Sequence, residues 1–250
     1  MRRIVRSAGV EPGDEVLEVG PGLGSLTFGL LEAGARVTAV EIDRRLAARL
    51  PETAAGLAPG APLTVITEDA LRVEELPVAP KRLVANLPYN VSVPVLLHLL
   101  ERFDSLESAL VMVQAEVGQR IAARPGSKVY GSPSIKAAWY GEWAAAGTVS
   151  RQVFWPVPNV DSILVSFRRR PAPGDEEERR AVFRLVDAAF GQRRKMLRQA
   201  LAEVLGGGAA ASAVLERAGV DPTARGERLS VAEFLRVARA AAPTAPTGTV

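Results

Sequence analysis

The sequence predicts a doubly wound α/β domain followed by a small all-helical domain, and three observations carry that prediction. Short β-rich runs alternate with helix-length amphipathic runs up to about residue 115. Glycines gather where the first run ends, and beyond a Pro/Gly-rich break at 170–174 only helical patterns remain.

In chain order, "DEVLEVG" (14–20) is the first strand and "SLTFGLLEAG" (25–34) the helix after it. "RVTAVEID" (36–43) is the second strand, "RRLAARL" leads a second helix, and "LTVITEDA" (63–70) is the third strand. "KRLVANLP" (81–88), a helix from about Ser92 to Phe103, and "ESALVMVQ" (107–114) complete the alternation. Strands spaced by helix-length segments form βαβ units, which build a parallel sheet buried on both faces; hence the near-continuous apolar character of these strands. Further on, "PGSKVYGSPS" (125–134) reads as a loop and "DSILVSFRRR" (161–170) as a late strand. "RPAPGDEEE" (170–178) interrupts the chain and then offers the acidic run that suits a helix N-terminus. Helical patterns follow in "RRAVFRLVDAAFG", "RKMLRQALAEVLG", "SAVLERAG" and "VAEFLRVARAA". The expected division is a domain at 1–170, a helical domain at 175–241 and a disordered tail at 242–250.

Composition narrows the chemistry. With no cysteine and a single histidine, the chain offers neither thiolate ligands nor a Ser-His-Asp triad, and no metal is expected. His98 sits inside "VPVLLHLL" and reads as a helix residue at the core edge. No run approaches the ~20 apolar residues of a membrane span and no signal-peptide core opens the chain, so a cytoplasmic location is expected. The net charge of +3 says little about partners, but its distribution says more. From Val117 to Arg170, eight Lys/Arg face two Asp/Glu, and "FGQRRKMLR" (190–198) adds four cations without an acid. Lys128, Arg193, Arg194 and Lys195 are therefore candidate contacts for a polyphosphate partner, the alternative being a solvated face in an Arg-rich chain.

The first strand ends "LEVGPGLGS", with glycines at 20, 22 and 24. Glycine at a strand-to-helix turn lets the backbone approach a ligand. A dinucleotide fingerprint would place its third glycine one residue later. Here Glu18 precedes Gly20 by two residues and Gly22 follows by two, a form more typical of S-adenosylmethionine-binding turns. Glu41 closes the second strand, where a carboxylate can accept both ribose hydroxyls, and Asp69 closes the third, where it can accept from an exocyclic adenine amine. Singly, each acid is a common strand-end residue; together, at successive strand ends, they mark a ligand crevice.

The fourth strand ends in "NLPY". The Asn86 side chain and the carbonyls around Leu87 and Pro88 form a set of hydrogen-bond acceptors, because proline has no N–H and the ladder stops there. Such acceptors hold the hydrogens of an aromatic amine and favour its pyramidal, nucleophilic form as a methyl arrives. Tyr89 offers a flat face for an unstacked base. The competing reading is a strand-ending turn with a structural tyrosine.

The segments "VLEVGPGLGSLT", "VEID", "EDAL", "NLPYNVSVP", "QAEVGQRIAARPGSKVYG", "VFWPVPNVDS" and "FGQRRKMLRQAL" closely resemble the ribosomal RNA adenine N6,N6-dimethyltransferases of the small-subunit (16S) type, over most of residues 4–240. The resemblance implies a Rossmann-like S-adenosylmethionine-dependent methyltransferase domain and a helical C-terminal domain that binds the ribosomal particle. It implies that Gly20, Gly22, Glu41, Asp69 and Asn86 line the cofactor site, and that the target adenine lies between Tyr89 and Phe154 of "FWPVP". From the residues alone, Phe154 can equally be core and Trp155 the stacking ring. The implied product is dimethyladenosine at two adjacent adenines near the 3′ end of 16S rRNA, made by a monomer. Family members carry a G-Q-x-F-L segment before the helix in which this sequence starts; cofactor affinity and catalysis of the 250-residue chain are expected to depend on it. The alternatives are a large-subunit rRNA adenine methylase of the macrolide-resistance type and a non-catalytic rRNA-binding assembly factor. A dehydrogenase is disfavoured by the glycine spacing and the lack of a hydride-transfer acid or base.

Overall fold

A computed structural model describes residues 2–153 and 157–242. β1 (Glu15–Val19), β2 (Arg36–Glu41), β3 (Leu63–Thr67), β4 (Arg82–Asn86) and β5 (Ser108–Gln114) run parallel. β7 (Ser162–Arg169) pairs antiparallel with β5, and β6 (Gly141–Val149) pairs antiparallel with β7 at the sheet edge. The sheet order is β3-β2-β1-β4-β5-β7-β6, so strand order reverses between β1 and β4, the place where doubly wound sheets open a ligand crevice.

Side-chain alternation assigns the two faces. Val16, Val37, Ala39, Val84, Leu110, Met112 and Leu164 form one core with residues of α1 (Arg2–Ser7), α2 (Ser25–Glu32) and α3 (Arg44–Leu57). On the opposite face, α5 (Ala115–Ile121) packs so closely that Gly118 has no room for a side chain against Ile163, Val165 and Val113. α4 (Ser92–Arg102) links β4 to β5, and its His98 Nε2 meets the Val73 carbonyl at 2.9 Å, a structural role at the core edge. Burial on both faces is what the apolar strand runs require.

The chain divides into two compact units: residues 1–122 with 140–170, and 123–139 with the remainder. The stretch 123–139, expected within the first domain, thus belongs to the helical unit. Side-chain chemistry explains why. In α6 (Ser132–Tyr140), Lys136 pairs with Asp187 at 2.7 Å and Trp139 stacks edge-on to Phe183 at 6.3 Å, both partners lying on α7 (Glu176–Gly191). Upstream, the Tyr130 hydroxyl donates to the Leu229 carbonyl at 2.9 Å. The acidic run does start α7: Asp175 and Glu178 form a capping box. α8 (Leu197–Ala200), α9 (Gly208–Arg217) and α10 (Val231–Ala241) complete this unit around Leu185, Val186, Leu197, Leu215 and Phe234. The helix expected from "RKMLRQALAEVLG" shortens to α8 followed by turns that end at Gly206 and Gly207, both at positive φ. Of the tail expected at 242–250, Ala242 follows α10 and the remainder lies outside the described residues.

Candidate active site

Because strand side chains alternate, residues near the ends of β1, β2 and β4, each two positions beyond a core residue, are aimed together. Glu18 follows Val16, Glu41 follows Ala39 and Asn86 follows Val84, all in phase with the face that α1–α3 cover. Between β1 and α2, Gly20, Gly22 and Gly24 adopt φ of +66°, +56° and +83°, a region that favours glycine. A Cβ on Gly20 would lie 3.8 Å from the Pro88 ring and 4.0 Å from the Asn86 carbonyl oxygen, so the glycine turn and the N-L-P-Y turn touch. Gly22 faces open space, whereas a Cβ on Gly24 would meet Leu50 and Phe28 at 2.6 Å. The third glycine therefore serves the packing of α2 on α3.

Glu41, only 6% exposed, holds this turn in place. Its Oε2 accepts the Gly22 N–H and its Oε1 the Asp43 N–H, each at 3.0 Å. A carboxylate oxygen has two lone pairs, so each retains one for a ligand hydroxyl. Asp69 uses Oδ1 to accept the Leu71 N–H at 2.9 Å in an Asx turn, leaving Oδ2 without a partner among the described residues. Glu18 is 1% exposed, and burial pushes its carboxyl up to about 8, against the lowering influence of Thr27 and with a smaller upward push from Glu41. Glu18 Oε2 and Thr27 Oγ1 are both buried and have no hydrogen-bond partner among the described residues.

Beyond Asn86, the Leu87 N–H donates to the Met112 carbonyl at 3.0 Å, the last bond before the chain turns. The Pro88 carbonyl accepts the Val91 N–H at 3.3 Å, which leads the chain into α4. Asn86 is half-buried, and among the described residues neither its side chain nor the Leu87 carbonyl has a donor. These two are the acceptors of the turn, with Pro88 already sharing its oxygen. The Tyr89 hydroxyl bonds Ser162 Oγ at 2.7 Å, and buried Ser162 pairs with Gln114 across β7 and β5. The ring is thereby anchored by a residue that sequence reasoning left without a role, although "PNVDS" lay in view. Phe154 and Trp155 lie outside the described residues.

Comparison with known proteins decides the family. The model of the family described as "Ribosomal RNA adenine dimethylase" matches residues 1–242. The chain belongs to that family. A "Ribosomal RNA small subunit methyltransferase A" from Leifsonia xyli subsp. xyli is 72% identical over 95% of this chain and 86% of its own. The protein of the same name from Thermobifida fusca is 61% identical over 95% and 84%. Among solved structures, a dimethyladenosine transferase from Plasmodium falciparum shares the fold at a TM-score of 0.77 and 23% identity, over 94% of this chain and 92% of that one. The 23S rRNA methyltransferase ErmE superposes at 0.69 with 28% identity, over 96% and 95%.

In this adenine dimethylase the basic candidates lie in the helical unit and differ in what holds them. Arg193 pairs with Glu227 at 3.0 Å and donates to the Lys128 carbonyl at 3.0 Å, fastening the 126–130 loop. Arg194, Lys195 and the Lys128 side chain are exposed, with no acidic partner among the described residues. Arg193 thus has a structural task, and the other three extend into solvent.

Proposed function

We propose that this chain transfers methyl groups from S-adenosylmethionine to the N6 amines of two adjacent adenines near the 3′ end of 16S rRNA. The observation that carries the reading is the closeness of its two motifs: a side chain on Gly20 would reach the Pro88 ring at 3.8 Å, so a donor seated over the glycine turn adjoins the acceptors of N-L-P-Y. The residues present fit the cofactor. Gly22 leaves room for it, Glu41 keeps a lone pair on each oxygen for ribose hydroxyls, and Asp69 Oδ2 can accept an adenine amine. When bound, the cofactor supplies an electrophilic methyl on sulfur.

The chain's own work is to present the nucleophile. Asn86 Oδ1 and the Leu87 carbonyl accept the N6 hydrogens, two in the first transfer and one in the second, with the Pro88 oxygen close by. This draws the nitrogen lone pair out of ring conjugation towards the methyl. The proton shed by the cationic N6 after each transfer passes to solvent. Tyr89, held by Ser162, stacks on the unstacked base. Lys128, Arg194 and Lys195 contact rRNA phosphates. The small-subunit substrate is favoured over 23S rRNA by the difference between 72% and 28% identity to the two kinds of relative.

The test is methyl incorporation from labelled cofactor into purified 30S particles and into protein-free 23S rRNA, with primer extension to locate the product. Stops at two adjacent adenines near the 16S 3′ end are expected. Asn86→Ala should lower the transfer rate by ~100-fold or more while S-adenosylhomocysteine still binds, since one preorganised polar group contributes on this scale. Labelling of 23S rRNA alone, particle binding without incorporation, or an undiminished rate in the variant would overturn the proposal.

A further inference from the structure

We propose that Arg3 and the end of edge strand β6 form a phosphate-binding surface for the nucleotides flanking the target adenine. The inference rests on the RNA-methylation reading above and adds a positioning residue to it. β6 is the outermost strand, and the last stretch of it, "AAAGTV", carries no charge and little side chain. Ala144, Ala145, Ala146 and Thr148 are exposed. The pairing slips between Ala145 and Gly147, where Gly147 takes φ +133°. A Cβ on Gly147 would lie 2.8 Å from Arg3 Nη2, so the guanidinium occupies the space a side chain would fill.

Three arginines and no acid make up the polar content of α1 apart from Ser7. Arg2 has Glu32 at 3.7 Å, with both side chains exposed, and Arg3 has no carboxylate partner among the described residues. An unpaired guanidinium offers a planar fork of donors matched to phosphate oxygens. The small residues beside it allow a backbone to come close, and the outer edge of a strand presents N–H groups of its own. The slipped pairing argues against an added peptide strand, because a bulge interrupts the ladder that such a strand would extend.

Position gives the surface its purpose. Val149 of β6 pairs with Ser162, whose hydroxyl holds Tyr89. Gly147 is two residues back along β6, roughly 7 Å at ~3.3 Å per residue. Gly147 and Val149 pair with Leu164 and Ser162 on the same face of the sheet, so a strand that places one base against Tyr89 runs its neighbouring phosphates past Arg3.

Arg3→Glu and Arg3→Ala test this in the full chain, at an exposed position of α1. Two readouts are needed: anisotropy with a labelled RNA hairpin across a salt series, and methylation kinetics on 30S particles. Each variant is expected to weaken RNA binding about tenfold and to reduce the slope of log affinity against log salt by about 1, as loss of one phosphate contact does. KM should rise while kcat at saturating particle and S-adenosylhomocysteine affinity stay put, and Arg3→Lys should recover part of the loss. Unchanged binding and salt slope in both Arg3 variants would overturn the inference even if the wild type methylates normally. Failure of the wild type to methylate would instead strike the function itself, with the anisotropy series still deciding on Arg3. A wild-type dimer in light scattering that either variant dissociates would make this edge a protein interface and would also overturn the inference.

Discussion

Glu18→Gln should stabilise the free protein, and by an amount that grows with pH. The carboxyl is buried at the end of β1, and its pKa stands at about 8 against 4.5 for the unperturbed group. A raised pKa means that the folded state holds the proton more tightly than the unfolded chain. The associated stability is complete below pH 4.5 and is lost as pH rises through 8. At about 1.36 kcal/mol per unit of pKa difference, the loss is on the order of 3 kcal/mol at pH 7 and about 4 near pH 8. Glutamine keeps the shape and cannot ionise, so the variant escapes this loss. The assay is urea unfolding of both proteins without cofactor at pH 5, 6, 7 and 8, fitted with a shared m value. The stability difference between variant and wild type should widen steadily over that range. A difference that stays flat would mean that Glu18 is ionised in the folded protein, stabilised by donors around Thr27. Burial would then not be the dominant influence on this group.

Two further outcomes bear on other parts of the molecule. Gly24→Ala should destabilise by about 2–4 kcal/mol in the same urea assay, because it combines a left-handed backbone with a Cβ 2.6 Å from Leu50 and Phe28; a change under about 0.5 kcal/mol would show that these side chains yield freely. Arg194→Glu with Lys195→Glu should weaken 30S binding and flatten its salt dependence by about 2 in slope at unchanged unfolding midpoint; equal affinity across the salt series would leave the pair as solvated surface. Arg193 is left intact in that experiment because reversing it would also break its pairing with Glu227.

Much of the first unit was legible because β1, β2, β4 and β5 are buried on both faces and therefore write their burial as apolar runs, while edge strand β3 (LTVIT) is β-branched at four of its five residues. β6 was not: the middle of this edge strand, Ala144 to Gly147, buries little, and Ala and Gly have weak strand preference. The glycine turn and the acids after β2 and β3 could be placed because a strand end is a local feature. The stretch 123–139 was misassigned because a loop-like composition says nothing about which unit a segment packs against. That was settled by α6 contacts, Lys136 to Asp187 among them, made 51 residues away.

The site shows the same limit more sharply, since its parts differ in how far their partners lie. Glu41 reaches Gly22 across 19 residues, within one βαβ unit, and the topology that sequence predicts already brings them together. Tyr89 reaches Ser162 across 73 residues, through a strand whose antiparallel direction sequence did not announce. Motif spacing could therefore nominate Tyr89 as the ring beneath a base while giving no account of what fixes that ring. A hydroxyl tied to the first residue of β7 makes the ring's orientation depend on the β5–β7 register. A one-residue slip there would turn Ser162 to the opposite face and release the tyrosine. The antiparallel end of the sheet thus fixes the ring of the N-L-P-Y turn in the way that Glu41 fixes the glycine turn.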